Sequence, residues 1–298
     1  MDVIHIPVLV EEAIGNLVTS QTRLFVDATL GGAGHAVVLL ERFKAVNLIG
    51  LDIDDAALKV AEERLMPYKD RVRLIRGNFR DMKEILQGIG IFSVDAILFD
   101  IGLSMYQLKG NRGFSFNDEG PLDMRMDDRE VITAGDVVNG YSYERLVQII
   151  EEYGEEGRAK RIARYIIERR KKGPIASAKE LSNIILKAKG KKGRIHPATK
   201  TFQAIRIEVN QELKNLEIGI KDGIEMLSPG GRIGVISFHS LEDRVAKNLF
   251  KGSPDLRALT KRPVRAEMAE IQRNPGARSA KLRVVEKVQG GQYENKKA

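Results

Sequence analysis

"LFVDATLGGAGHAVVLLERF", residues 24–43, joins an apolar run to a helical pattern through three glycines. "LFVDATL" reads as a buried strand, and "HAVVLLERF" carries apolar residues at helical spacing. A glycine turn between them lets a ligand approach the main chain, and the helix start offers free N–H groups. The glycines stand at 31, 32 and 34, which is not the G-x-G-x-x-G dinucleotide fingerprint. From this string alone, a tight structural turn is the plain alternative.

The same alternation continues outward. "NLIGLDI", "RVRLIRGNF" and "VDAILFDIG" are predicted strands, and "DAALKVAEERL" a predicted helix, with a short helical pattern around "DMKEIL". Buried apolar strands alternating with helices imply an α/β fold with a doubly wound, mostly parallel sheet. From Gly102 to Pro197 the pattern gives way to loops and helices. A single apolar stripe then runs from Phe202 to Leu227, and "SPGG" at 228–231 reads as a turn. "RIGVISF" and "KLRVVEKV" are the last strands, around the helix "SLEDRVAKNLF". The expected domains are therefore residues 1–102 with 198–298, and a helical insertion at 103–197.

The 298 residues carry a net charge of +8, and 43% of them are apolar, enough for a core. Glu155–Lys200 holds fifteen Lys or Arg against four Glu, a balance of +11, so the remainder is net acidic. A basic excess confined to one segment points to a polyanionic partner, with a solvated helical face as the alternative. "RAKRIARYIIERRKK" and the later loop "RALTKRPVRAEMAEIQRNPGARSAK" are the candidate nucleic-acid surfaces. No apolar run is long enough for a membrane span, and the start does not read as a signal peptide, so a cytoplasmic protein is expected. The absence of cysteine excludes disulfides, thiolate metal sites and a Cys nucleophile. No spacing suggests a metal site.

Asp52 closes the second strand about twenty residues after the glycines, where a carboxylate accepts hydrogen bonds from a ribose. Asp54 reads as the cap of the next helix. Phe79 offers an apolar slot or is a core residue, and Asp100 ends the fourth strand or is a turn residue. NAD favours the stricter glycine spacing, whereas S-adenosylmethionine has no phosphate and needs a glycine turn, a ribose-binding acid, an apolar adenine slot and a polar residue at the next strand end.

Between residues 5 and 283 the strings "HIPVLVEE", "DATLGGAGH", "GLDID", "DAILFDIGLSMYQL", "RGFSF", "LDMRM", "EEGRAKRIARYI", "HPATKTFQAIRIEVNQEL", "GGRIGVISFHSLEDR" and "NPGARSAKLR" occur in order. In these the chain resembles the bacterial ribosomal small-subunit RNA (cytosine-N4)-methyltransferase H family, also called MraW-like. The resemblance implies a Rossmann-like S-adenosylmethionine-dependent methyltransferase fold with an inserted helical domain. It implies methylation of the N4 amine of a decoding-centre cytidine in 16S rRNA, within the small subunit or a late assembly intermediate. It also implies cofactor contacts at Ala33, Gly34, His35, Asp52, Phe79, Asp100 and Gln107. The chain departs from the family at Ser104-Met105, where two serines are usual; Ser104 keeps its hydroxyl.

The exocyclic amine of cytosine is a poor nucleophile, while a methyl on a sulfonium is already activated. In-line transfer without a covalent intermediate then needs alignment and an acceptor for the N4 hydrogen. Methylation at C5 of cytosine instead calls for a Cys nucleophile, which this chain lacks. Asp100 is the candidate acceptor, unless it touches only the cofactor's amino-acid end. Ser104 and His239 are further catalytic candidates, the latter with a helix-start role as its alternative, and Phe238 is placed to stack on a flipped base. His5 reads as structural or part of a lid, and His196 as a loop or cap residue. Arg112 and Arg125 either order a cover or contact RNA. The rival readings are an NAD-dependent oxidoreductase and a non-catalytic ribosome-assembly factor; a homo-oligomer is compatible with the methyltransferase reading.

Overall fold

The computed structural model describes residues 7–102, 110–190 and 196–288. Seven strands form one sheet: β1 (Leu24–Asp27), β2 (Asn47–Asp52), β3 (Val72–Arg76), β4 (Val94–Ile101), β5 (Leu227–Ser237), β6 (Leu256–Ala258) and β7 (Lys281–Lys287). Their order is β3-β2-β1-β4-β5-β7-β6. The first five pair in parallel, while β7 runs antiparallel between β5 and β6. This is the doubly wound, mostly parallel sheet of a Rossmann-like methyltransferase fold.

Covering helices explain why the strands read as apolar runs. Along β4, Ala96 and Leu98 belong to one buried cluster with Phe25, Leu39 and Leu282. Ile97 and Phe99 alternate into another with Val26, Leu216, Ile220 and Ile233. Chain order reverses between β1 and β4, which pair Asp27 with Leu98. At such a reversal the loops leave in opposite directions and open a crevice beyond the carboxyl ends of the strands.

The chain divides into two compact units, Met1–Gly102 with Leu213–Ala298, and Leu103–Glu212. The second runs beyond the boundary expected at 197. Its helices Ala134–Gly140, Tyr143–Glu152, Ala159–Arg170, Ala178–Lys189 and Thr199–Asn210 enclose their own core, built from residues such as Leu146, Ile162, Ile166, Leu181 and Phe202. Thr133, Ser142 and Ser177 cap three of these helices through their hydroxyls.

The apolar stripe expected as one helix is two. Thr199–Asn210 ends at Gln211, whose φ of 48° is left-handed, and Glu212–Met226 starts afresh. Phe202, Ile205 and Val209 therefore enter the second unit's core, whereas Leu216, Ile220 and Leu227 enter the sheet's. The expected turn at 228–231 is absorbed into β5 as an irregularity, since Val94 pairs with Leu227 but Ala96 with Arg232. The helix Val10–Leu17, the short β6 and the helix Met268–Arg273 had no counterpart in the expected pattern.

Candidate functional site

The glycine turn follows β1. Gly31 has a φ of +52° and Ala33 a φ of 60°, so the chain makes two left-handed steps before the helix Gly34–Arg42 begins. Such steps cost a non-glycine residue about 1–2 kcal/mol, and Ala33 bears that cost while fully buried. Gly34 is required for a different reason: a Cβ there would lie 2.9 Å from Pro7 Cβ. No side chain caps this helix start. Ala33 and His35 are buried, so a ligand here would meet this stretch through its backbone.

Asp52 holds the turn from the next strand. One carboxylate oxygen accepts the Gly31 N–H at 2.7 Å and the other accepts the Asp54 N–H at 2.9 Å. Burial pushes its pKa up to about 6, against the lowering effect of those two bonds. Each oxygen retains lone-pair capacity for a ribose hydroxyl. Asp54 itself caps the helix Asp55–Leu65 by accepting from Ala56 N–H.

Beyond β3, Phe79 is half-buried, edge-on to Phe99 with ring centres 5.7 Å apart. Its ring and carbonyl lie against Gly219, where a Cβ would come within 2.9 Å of the ring. The residue thus packs closely over the buried Gly219 and against the core.

Asp100 sits at the end of β4 with its backbone N–H on Thr29 Oγ1 at 2.6 Å. Its side chain is 16% exposed. Oδ2 faces His35 Nδ1 at 3.7 Å, and Oδ1 is buried without a hydrogen-bond partner among the described residues. A buried polar atom without a partner costs about 1–3 kcal/mol, and such groups are found at functional sites among other places. Burial, then the negative charge of Glu242, pushes the Asp100 pKa up to about 7.

Asp27, which ends β1, was not singled out in the sequence. It is 1% exposed, accepts the Thr29 N–H at 3.2 Å, and has its pKa raised to about 7 by burial. The signal was available, because Asp27, like Asp52 and Asp100, is an acid closing an apolar strand. Burial lowers the pKa of His35, and the charge of Asp27 opposes that shift. The His35 ring nitrogen Nε2 is 3.0 Å from the Val8 carbonyl, which can only accept, so Nε2 carries the hydrogen.

At the end of β5, Phe238 packs beside Gly102, where a Cβ would be 3.1 Å from its ring. His239 is the N-cap of the helix Ser240–Gly252: Nδ1 accepts from Glu242 N–H, and the Glu242 carboxylate accepts the N–H groups of Phe238 and His239. Its Nε2 lies 3.0 Å from Glu242 Oε1. Nδ1 thus serves the helix start, while the buried Nε2, though close to Glu242, makes no hydrogen bond among the described residues. Ser104, Gln107 and His5 lie outside the described residues.

In the second unit, Arg125 donates to the Asp123 carboxylate at 2.6 Å and to the carbonyls of Asp128 and Glu130, and Arg112 pairs with Asp123 at 3.5 Å. Both order their own loops. His196 stacks on Phe116 with ring centres 4.3 Å apart, and its Nδ1 accepts from Ala198 N–H. The helix Ala159–Arg170 buries Ala159, Ile162, Ala163 and Ile166 and turns Lys160, Arg161, Arg164 and Tyr165 outward. No helix among the described residues is long and apolar enough to cross a membrane.

Residues 2–288 match the model of the MraW methylase family. The chain is 50% identical over 290 residues to the ribosomal RNA small subunit methyltransferase H of Persephonella marina, across 95% of this chain and 99% of that one. Proteins with the same name from a Sulfurihydrogenibium species and from Clostridioides difficile are 48% and 43% identical, over 94% and 97% of this chain and 98% and 100% of theirs.

Proposed function

Because the chain belongs to the MraW methylase family, we propose that it methylates small-subunit ribosomal RNA, at the N4 amine of a decoding-centre cytidine in 16S rRNA. The observation that carries this reading is Asp100 at the topological reversal of the sheet, its Oδ1 buried without a hydrogen-bond partner among the described residues. The residues fit S-adenosylmethionine: Asp52 for the ribose, Phe79 for the adenine, the backbone of Ala33–His35 and the edge of Asp100 for the remainder. Ser104 and Gln107 belong to the same proposal through the family match. The cofactor supplies a methyl group already activated on a sulfonium.

The protein's task is to hold the amine in line and to accept its hydrogen. Asp100 Oδ1 is the acceptor. As a carboxylate it draws the N4 lone pair out of conjugation through the N–H it accepts, and it takes the proton that N4 sheds on methylation. Phe238, half-buried beside Gly102, offers a face for the extruded base. The capping geometry of His239 favours an ordering role over proton transfer.

The basic helix Ala159–Arg170 provides phosphate contacts in this reading. Its apolar face is consumed by its own core, so the outward Lys160, Arg161 and Arg164 are left for a polyanion. Replacing Asp100 by Ala tests the acceptor role, with S-adenosylhomocysteine binding measured separately from turnover. Lost turnover with binding retained supports it; parallel loss of both assigns Asp100 to the cofactor alone.

A further inference from the structure

His35 stands in the family's cofactor-binding string, yet its side chain is only 6% exposed and both nitrogens face protein groups. Nε2–H is committed to the Val8 carbonyl. In the neutral ring Nδ1 is then a bare lone pair, and it faces a carboxylate oxygen of Asp100 at 3.7 Å. Two lone pairs facing each other in a buried site repel; one proton between them removes the repulsion. Roughly 0.7 Å of closure would bring the pair into hydrogen-bond range.

We propose that His35 is a positioning residue that acts through Asp100: pinned at Nε2 by Val8, it shares one proton through Nδ1 with Asp100 Oδ2 and leaves Oδ1 free to accept from the substrate amine. The inference rests on the reading of Asp100 as acceptor.

Burial has the largest effect on both groups, lowering the His35 pKa and raising that of Asp100, and the surrounding charges modify it. Asp27 on β1 and Glu270 on the helix Met268–Arg273 both act on His35 in the sense that retains a ring proton, against the effect of burial. Glu242 acts on Asp100 in the sense that keeps it protonated, and Asp52 and Asp100 act likewise on Asp27. Without an imidazole to hold the proton, burial and Glu242 would leave Asp100 protonated to higher pH.

The segment before the first helix serves the same arrangement. Pro7 packs on Gly34, Val8 orients the ring, and Leu9 donates its N–H to Glu270 at 2.8 Å. Leu9 itself is buried at a left-handed φ of 53°.

The test uses the full chain, whose four histidines allow ring nitrogens to be assigned by NMR. In the unsubstituted protein Nε2 should stay protonated, and Nδ1 should show a partly protonated signal that Asp100→Asn abolishes. A bare lone-pair signal at Nδ1, or one moved by Asp27→Asn but not by Asp100→Asn, overturns the proposal. In His35→Gln, whose amide keeps the donor to Val8, the acid limb of kcat should move up by about one pH unit. Turnover on that limb then falls about tenfold and recovers as the pH is raised. S-adenosylhomocysteine affinity should not change. An unmoved limb, or affinity lost in step with turnover, makes His35 a cofactor contact or a packing residue instead. Persistent turnover in Asp100→Asn would refute the acceptor reading, and the ring spectrum, recorded without substrate, separates that failure from this one.

Discussion

Replacing Gly219 by Ala places one methyl group where Phe79 meets the core. The added Cβ would lie 2.9 Å from the Phe79 ring, 3.0 Å from the Phe79 carbonyl oxygen and 3.2 Å from the Phe99 ring. Two effects oppose each other. Ala is favoured over Gly in a helix interior by about 0.8–1.0 kcal/mol. Overpacking a filled core costs about 1–3 kcal/mol. A ring alone could swing aside, but the carbonyl contact is backbone and cannot yield without moving the start of the turn at Phe79–Asp81. Strain should therefore win by about 1 kcal/mol, which lowers Tm by about 2–4 °C in a chain of this size class. Phe79 is also the proposed adenine slot, so S-adenosylhomocysteine should bind at least about fivefold more weakly by calorimetry, the equivalent of about 1 kcal/mol. A raised Tm with unchanged affinity would contradict this expectation, because helix propensity would then have prevailed and the ligand would lie elsewhere.

Asp27→Asn keeps the acceptor for the Thr29 N–H and removes a buried charge. The folded chain holds the Asp27 proton up to about pH 7, whereas the unfolded chain releases it near 3.8. Between those values the native state binds more protons, so stability falls as pH rises, by at most about 1.4 kcal/mol per unit. Denaturation from pH 5 to pH 8 should show a shallower fall in the variant than in the parent; identical slopes contradict the burial effect. Changing Lys160, Arg161 and Arg164 together to Gln should leave Tm unchanged, since all three are exposed. The slope of log K for ribosomal RNA against log salt should become shallower by about 2, from three lost phosphate contacts on single-stranded RNA. An unaltered slope would remove this helix from the interface.

Much of this architecture is written in local patterns. β1, β2 and β4 are recognisable because strands buried on both faces must be apolar throughout, and the acids that end them interrupt those runs. Asp52 and Asp100 stood out for that reason. Other features depend on tertiary context. Gln211 turns left-handed without glycine, so nothing in the string marks the break, and a stripe of constant spacing ends up serving two cores. The helix Val10–Leu17 is short, and the three-residue β6 has only β7 as a partner. His35 enters as a cofactor contact through the family resemblance, and nothing in the string itself shows that its ring turns toward Val8 and Asp100. His239 likewise becomes a cap because Glu242 follows three residues later, a spacing visible in the string but usually associated with Ser or Thr. Arg112 and Arg125, free cations in sequence, find Asp123 only once their loops close.

The most direct test is nucleoside mass spectrometry of small-subunit ribosomal RNA after incubation with isotopically labelled S-adenosylmethionine and either the unsubstituted chain or Asp100→Asn. The expected result is one labelled N4-methylcytidine with the former, and with the latter its near absence despite retained cofactor binding. Label on another atom or another nucleotide, or equal labelling by both proteins, would contradict the assignment of Asp100 as the acceptor for a cytidine amine.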